Sequence, residues 1–322
     1  MKTVSNYRAC GILYNFLRSN AVAGTVLMPA NICETVPATY MKAGLDVEFF
    51  DISLKDLSPD AGSMYGIIGS DEDITVLHYN HTYGYLARQE DEKLFENLKD
   101  RFPGLIIIDD RCLCVPSPAP GFGESFADMY LYSTGHVKYA DIGYGGFAHI
   151  RDCFDYKEHY LPYSEEAETA FDKYIKYCHA EHCSADNKIM TGNWLKNESV
   201  AGDYFVEVKK AMDRIRPHKK AINEIYEKLT GVGVPYKYNT WRYQVLVKNQ
   251  NECINAIFDN GLFASRHYMS LGNGYFKLTE TPNADWLAAH VVNLFNDFRV
   301  DIEMAKRTVN VLNKVMIPIE VS

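Results

Sequence analysis

The chain has 322 residues, 47% hydrophobic and 23% charged, a globular composition long enough for two domains. Its 21 Gly, 12 Pro and 8 Cys are too few for a collagen-like, disordered or disulfide-stapled chain. With 33 basic and 42 acidic residues the formal charge is −9, which repels phosphate backbones and argues against a nucleic-acid partner. No apolar run reaches the roughly 18 residues of a membrane span, and residues 1–8 lack a secretory pattern, so a cytoplasmic location is expected. Cys178 and Cys183 bracket His179 and His182, but no second half-site with metal-ligand spacing lies nearby. Reduced thiols, and no metal, are therefore expected.

Taken in chain order, Ile12, Leu13, Phe16 and Leu17 put one apolar face on a helix over 11–20. Residues 25–29 read as a short apolar strand, 35–42 as a helix and 47–51 as a second strand. Another strand is predicted over 74–78, and an amphipathic helix over 90–101 with Leu94, Phe95 and Leu98 inward. The run 105–110 is apolar without alternation until it closes on Asp109 and Asp110. Such runs belong to strands buried on both faces, as in parallel sheets covered by helices. Short strands follow at 128–133 and 145–150. Beyond about residue 155 Tyr, Lys and Glu become dense, and a long helix is predicted over 206–229, broken at 230–235. Strands at 243–247 and 275–278 and helices at 252–260 and 301–315 complete a smaller α+β unit. The expected architecture is a large α/β domain, residues 1–200, followed by a small α+β domain, residues 201–322.

In open α/β sheets ligands bind beyond the carboxyl ends of the strands. Those ends here are 29–33, 78–84, 109–114 and 133–138, each polar directly after an apolar run. A buried carboxylate must be paired or hydrogen-bonded, and alternation lets only one of Asp109 and Asp110 point into a site. Lys138 follows a Ser-Thr-Gly turn (Ser133, Thr134, Gly135). A desolvated lysine forms Schiff bases readily. An acid facing a pyridine nitrogen and a lysine bonded to an aldehyde are what pyridoxal 5′-phosphate (PLP) requires, with turn N–H groups and the serine hydroxyl as phosphate donors.

The ordered set of segments resembles the DegT/StrS-type sugar aminotransferases, PLP enzymes of fold type I. Residues 8–13 sit where that family begins its phosphate-contacting helix, and 26–33 where its chain passes over the cofactor ring. His81-Thr82-Tyr83-Gly84 is similar to the family's His-Leu-Tyr-Gly, and Ile107-Ile108-Asp109-Asp110 to Val-Ile-Glu-Asp. Residues 133–138 are similar to Ser-Phe-His-x-x-Lys, 143–148 to its glycine-rich strand, and 261–268 to its Gly-Ile-x-x-Arg-x-His-Tyr segment. The resemblance implies that Lys138 carries the cofactor and that Asp110, rather than Asp109, pairs with the ring nitrogen. It further implies that Ser133, Cys10 and Gly11 hold the phosphate, and that Cys33, His81 or Tyr83 lies near the ring. Arg266, His267 and Tyr268 then face substrate, and Asn193 with Trp194 reaches a partner's phosphate in a homodimer. The Tyr-rich stretch 156–177 also suggests a buried interface, since aromatics concentrate there.

Departures from the family pattern are local. Cys10 and Gly11 replace hydroxyl residues, and Arg111-Cys112-Leu113 replaces the Ala-Ala-Gln or Ala-Ala-His whose last residue contacts the ring hydroxyl. The resemblance implies transfer of an amino group from an amino acid such as glutamate to a keto sugar, nucleotide-linked as in that family. A decarboxylase or lyase acting on a small substrate, or a non-catalytic relative, are the alternatives.

Overall fold

The computed structural model describes residues 1–121, 124–181, 191–200, 202–229, 241–272 and 279–319, with only the backbone of 88, 179 and 180. A seven-stranded sheet runs in the order β1-β7-β6-β5-β4-β2-β3. Its strands are β1 (Lys2–Asn6), β2 (Thr25–Pro29), β3 (Asp46–Phe50), β4 (Ile74–Asn80), β5 (Ile106–Asp110), β6 (Met129–Ser133) and β7 (Gly146–Ile150). The pairs β3-β2, β2-β4, β4-β5 and β5-β6 are parallel, whereas β7 runs antiparallel to both β6 and β1. This is the mostly parallel α/β sheet expected of fold type I. The central strands are buried along their length, which is why their sequences lack alternation.

Helices α1 (Ala9–Ser19), α2 (Thr35–Ala43), α3 (Ala61–Ser70), α4 (Arg88–Arg101) and α5 (Glu165–Ala180) accompany this sheet. On α1, Ile12, Leu13, Phe16 and Leu17 are fully buried, as the period requires. Helix α3 escapes prediction because its three glycines depress helix propensity. It forms because the Asp60 side chain accepts from the Ser63 N–H and Met64 and Ile68 pack inward. Helix α5 lies inside the Tyr-rich stretch, where the Ser164 side chain caps the Ala167 N–H and three glutamates occupy the first turn. Strand β1 is polar and short, and its antiparallel pairing with β7 alone makes it a strand.

The second sheet is antiparallel, in the order β8-β10-β9, from β8 (Tyr243–Leu246), β9 (Ala264–Ser265) and β10 (Val291–Leu294). Helices α7 (Gln250–Asp259), α8 (Pro282–His290) and α9 (Ile302–Val315) complete the second half. Helix α6 (Tyr204–Tyr226) joins the two halves physically. Its Tyr204 and Val208 belong to a core with the large sheet, while Ile222, Ile225 and Tyr226 belong to the core of the small one. Ala284 and Leu287 of α8 and Val291 also pack into a large-sheet core. The strand expected at 275–278 and the break expected at 230–235 lie outside the described residues.

Candidate active site

A cavity of about 350 Å³ opens where β4, β5 and β6 end beside the N-terminus of α1. On β5, alternation sends Asp109 and Asp110 to opposite faces, and only Asp110 reaches the cavity wall. Its Oδ2 lies 3.1 Å from His78 Nε2, and its Oδ1 accepts from the Cys112 N–H at 2.8 Å. His78 is held in turn by the Tyr40 hydroxyl, 2.9 Å from Nδ1. Burial alone would raise the Asp110 pKa, but the His78 contact and the Cys112 N–H outweigh it and bring it to about 2. The carboxylate therefore stays ionised in a buried site.

Lys138 lines the same cavity, presented by a tightly constrained turn. The Thr134 N–H donates to Gly145 O at 2.9 Å, and its Oγ1 donates to Tyr144 O at 2.9 Å. At Gly145 φ is +93°, and a Cβ there would come within 2.4 Å of the Tyr204 ring, so only glycine fits. Val137, next to the lysine, holds φ at +59°, a region a β-branched residue rarely adopts. The Trp241 indole N–H donates to the Val137 carbonyl at 2.6 Å and secures that turn. Burial by itself would lower the Lys138 pKa, yet Tyr268, Cys112, Cys33 and Asp110 outweigh it and the net direction is up. Burial also pushes Tyr268 and Cys112 well up, and Cys33 to about 12. All three are neutral near pH 7, which leaves Asp110 as the formal negative charge among these partners.

The third wall suits an anion. Helix α1 starts without a side-chain cap, its Arg8 cap residue being extended; the Gly11 N–H donates to the Arg8 carbonyl at 3.0 Å, which leaves the Ala9 and Cys10 N–H groups without a helical acceptor. Ala9 and Cys10 line the cavity here, with Ser133 and Gly135 on the wall as well. A helix N-terminus supplies both N–H donors and favourable dipole potential to a phosphate.

The remaining expected residues separate. Cys33, His267 and Tyr268 line the cavity. Partial burial, with Arg242 and Lys138 nearby, lowers the His267 pKa to about 4, so its imidazole is neutral. His81 is on the wall, but its Nε2 is 2.6 Å from Asp109 Oδ1 and its Nδ1 is 3.8 Å from Asp91. Those acids hold the ring from the other side of β5. Gly11 is absent from the wall and serves close packing, since a Cβ would meet Asn6 Oδ1 at 2.3 Å. Tyr83 is buried and stacks parallel to Trp241 at 6.3 Å, away from the cavity. Arg266 is exposed and makes no ion pair among the described residues, so its guanidinium stays in water outside the wall. Asn193 is exposed, with its backbone carbonyl taking the Ser164 N–H at 3.0 Å. Trp194 lines the cavity and packs within its own chain, stacked on Phe171 of α5 at 4.2 Å and 11°, because intramolecular stacking buries its large apolar area.

Sequence reasoning missed Tyr40 and Trp241, and it placed His78 and Asn80 in the strand end 78–84 without singling them out. His78 and Asn80 share a face of β4, two residues apart, and β4 lies beside β5 with Asn80 opposite Asp110. The available signal was two polar side chains at the end of an otherwise apolar strand. On the far face of β5, Asp109 receives Arg111 Nε at 2.8 Å, and Arg111 also meets Glu124 and the Tyr132 hydroxyl. Arg111 thus fills the far side of the sheet with a closed ionic cluster rather than facing the cavity.

Comparison with solved structures gives full-length likenesses. The sugar aminotransferase CalS13 from Micromonospora echinospora is 15% identical, with a TM-score of 0.69 over 97% of this chain and 87% of that one. A DegT DnrJ EryC1 StrS aminotransferase from Brucella abortus is 12% identical, with a TM-score of 0.68 over 98% and 86%. The PLP form of Spr1654 from Streptococcus pneumoniae is 16% identical, with a TM-score of 0.68 over 98% and 86%. No known family profile matches the chain, and no curated protein does. At these identities the likeness establishes the fold, that of the fold type I aminotransferases.

Proposed function

We propose that this protein is a PLP-dependent aminotransferase that passes an amino group from an amino acid to a keto sugar, nucleotide-linked as in the DegT/StrS-type family it resembles. The observation that carries this reading is Asp110, held ionised by His78 in the cavity that Lys138 enters. The residues fit the cofactor. Ser133 and the Ala9 and Cys10 N–H groups at the start of α1 would hold its phosphate, Asp110 would keep its ring nitrogen protonated, and Lys138 would bind its aldehyde. The buried amide of Asn80 also stands on the wall with an unpartnered Oδ1.

The bound ring would accept the electron pair left when the donor's Cα–H bond breaks. Lys138, on the wall of the same cavity, would take up the Cα proton on Nζ as the base. Tyr268 and Trp241 stand on the cavity wall. His267, neutral at working pH, offers a polar contact without a charge. Arg266 and Gly11 have no part in this assignment. We further assign the active form as a homodimer in the cytoplasm; the exposed Tyr160 and Tyr177 and the free thiols of Cys10, Cys33, Cys112, Cys114 and Cys253 support these points, and no described helix is long and apolar enough to cross a membrane.

Borohydride reduction of the PLP-loaded protein followed by peptide mapping should place the pyridoxyl group on Lys138. Labelling of a different lysine overturns the assignment. Release of carbon dioxide in place of amino transfer from glutamate would make it a decarboxylase. Sedimentation should give about twice the 36.7 kDa chain mass.

A further inference from the structure

The residues after Asp110 carry no partner for the cofactor's ring hydroxyl. Arg111 is drawn into the ionic cluster on the opposite face, and Cys112 and Leu113 are a thiol and a hydrocarbon. The neighbouring strand supplies the missing group. Asn80 ends β4 directly opposite Asp110 in the parallel ladder, is 94% buried by its 6% exposure, lines the cavity, and has neither its Oδ1 nor its Nδ2 hydrogen-bonded among the described residues, which leaves the amide N–H groups free to donate. A buried amide so left is costly unless something that enters the cavity satisfies it.

Sheet order says which part of the cofactor that is. Strand β5 lies between β4 and β6, so Asn80 and Ser133 flank Asp110 on opposite sides. In pyridoxal phosphate the hydroxyl and the phosphate arm flank the aldehyde carbon on opposite sides of the ring. With the ring nitrogen on Asp110 and the phosphate on the Ser133 side, the hydroxyl oxygen falls on the Asn80 side. We propose that Asn80 is the ring-hydroxyl partner, its amide N–H donating to the ionised oxygen and tuning the proton affinity of the lysine-bound chromophore. This rests on the PLP reading above.

The sign of the effect follows from charge. An N–H donor stabilises the oxygen anion and makes it less basic, so its removal lets the chromophore hold its shared proton to higher pH. The full-length protein is loaded with PLP and its visible band titrated. Asn80→Ala should raise the titration midpoint by about one pH unit or more, the scale of a hydrogen bond to a charged group. An unchanged midpoint overturns the proposal. A second arm uses the unmodified protein with the 3-deoxy analogue of PLP, which should bind about tenfold more weakly than PLP. Equal binding of the two overturns the Asn80 assignment, whatever the variant's folding. Failure of the unmodified protein to form any visible band, or any borohydride-stable label on Lys138, overturns the PLP reading and this inference with it.

Discussion

The two faces of β5 carry adjacent aspartates with opposite fates. Asp109 is fully buried and saturated: His81 occupies one oxygen and the Arg111 fork the other. Burial works against its ionisation, but His81 and Arg111 outweigh that and lower its pKa. Asp110 is also ionised, yet its partners are one imidazole and one backbone N–H, and its carboxylate still borders an open cavity. A carboxylate offers about four acceptor sites, so Asp110 keeps capacity for a ligand where Asp109 has none facing one. Identical side chains one residue apart thus differ in function through the partners each face supplies.

The largest expected effect tests the cavity face. Asp110→Ala should lower the transamination rate by at least about 10²-fold, the scale for loss of a preorganised charge at a reacting centre, with a smaller loss of stability than the same change at Asp109. Asp109→Ala should do the reverse. Stranding Arg111 beside one fewer acid should cost about 3–5 kcal/mol in denaturant unfolding, while the protein that remains folded still forms the Lys138 adduct. A swap of these two outcomes would mean that the faces are misassigned.

A finer test concerns how Asp110 is held. Its pKa is lowered from 3.8 to about 2, so it stabilises the fold above about pH 4 and that contribution is lost as pH falls from there toward 2. His78→Leu removes the main group lowering it, so stability should drop near neutral pH while the further loss between about pH 4 and 2 becomes smaller than in the unmodified protein. Superimposable melting curves between pH 3 and 6 would show that His78 does not hold the carboxylate. The smallest effect is expected off both faces. Arg266→Ala should leave the KM of both substrates within about twofold, as befits a solvated surface charge; a larger rise would bring that segment back to the substrate.

Most of the sheet was legible because strands buried on both faces are continuous apolar runs, and β2, β4, β5 and β6 have that character. Strand β1 and helix α3 were not, since one depends on pairing across 140 or more residues and the other on a cap and two inward side chains. The candidate site divides in the same way. Lys138, Asp110 and Ser133 stand at strand ends and in short ordered motifs, so local sequence together with the family resemblance brings them forward. Residue type and order determined the strand ends, the acid pair and the lysine turn. Only the tertiary structure decided that His81 serves Asp109, that Trp194 packs on its own chain, that Arg266 stays in solvent, and that His78 and Asn80 stand beside Asp110. Those outcomes depend on which strands are neighbours and which face each side chain meets, and such contacts join residues roughly 20 to 30 positions apart that local spacing does not encode.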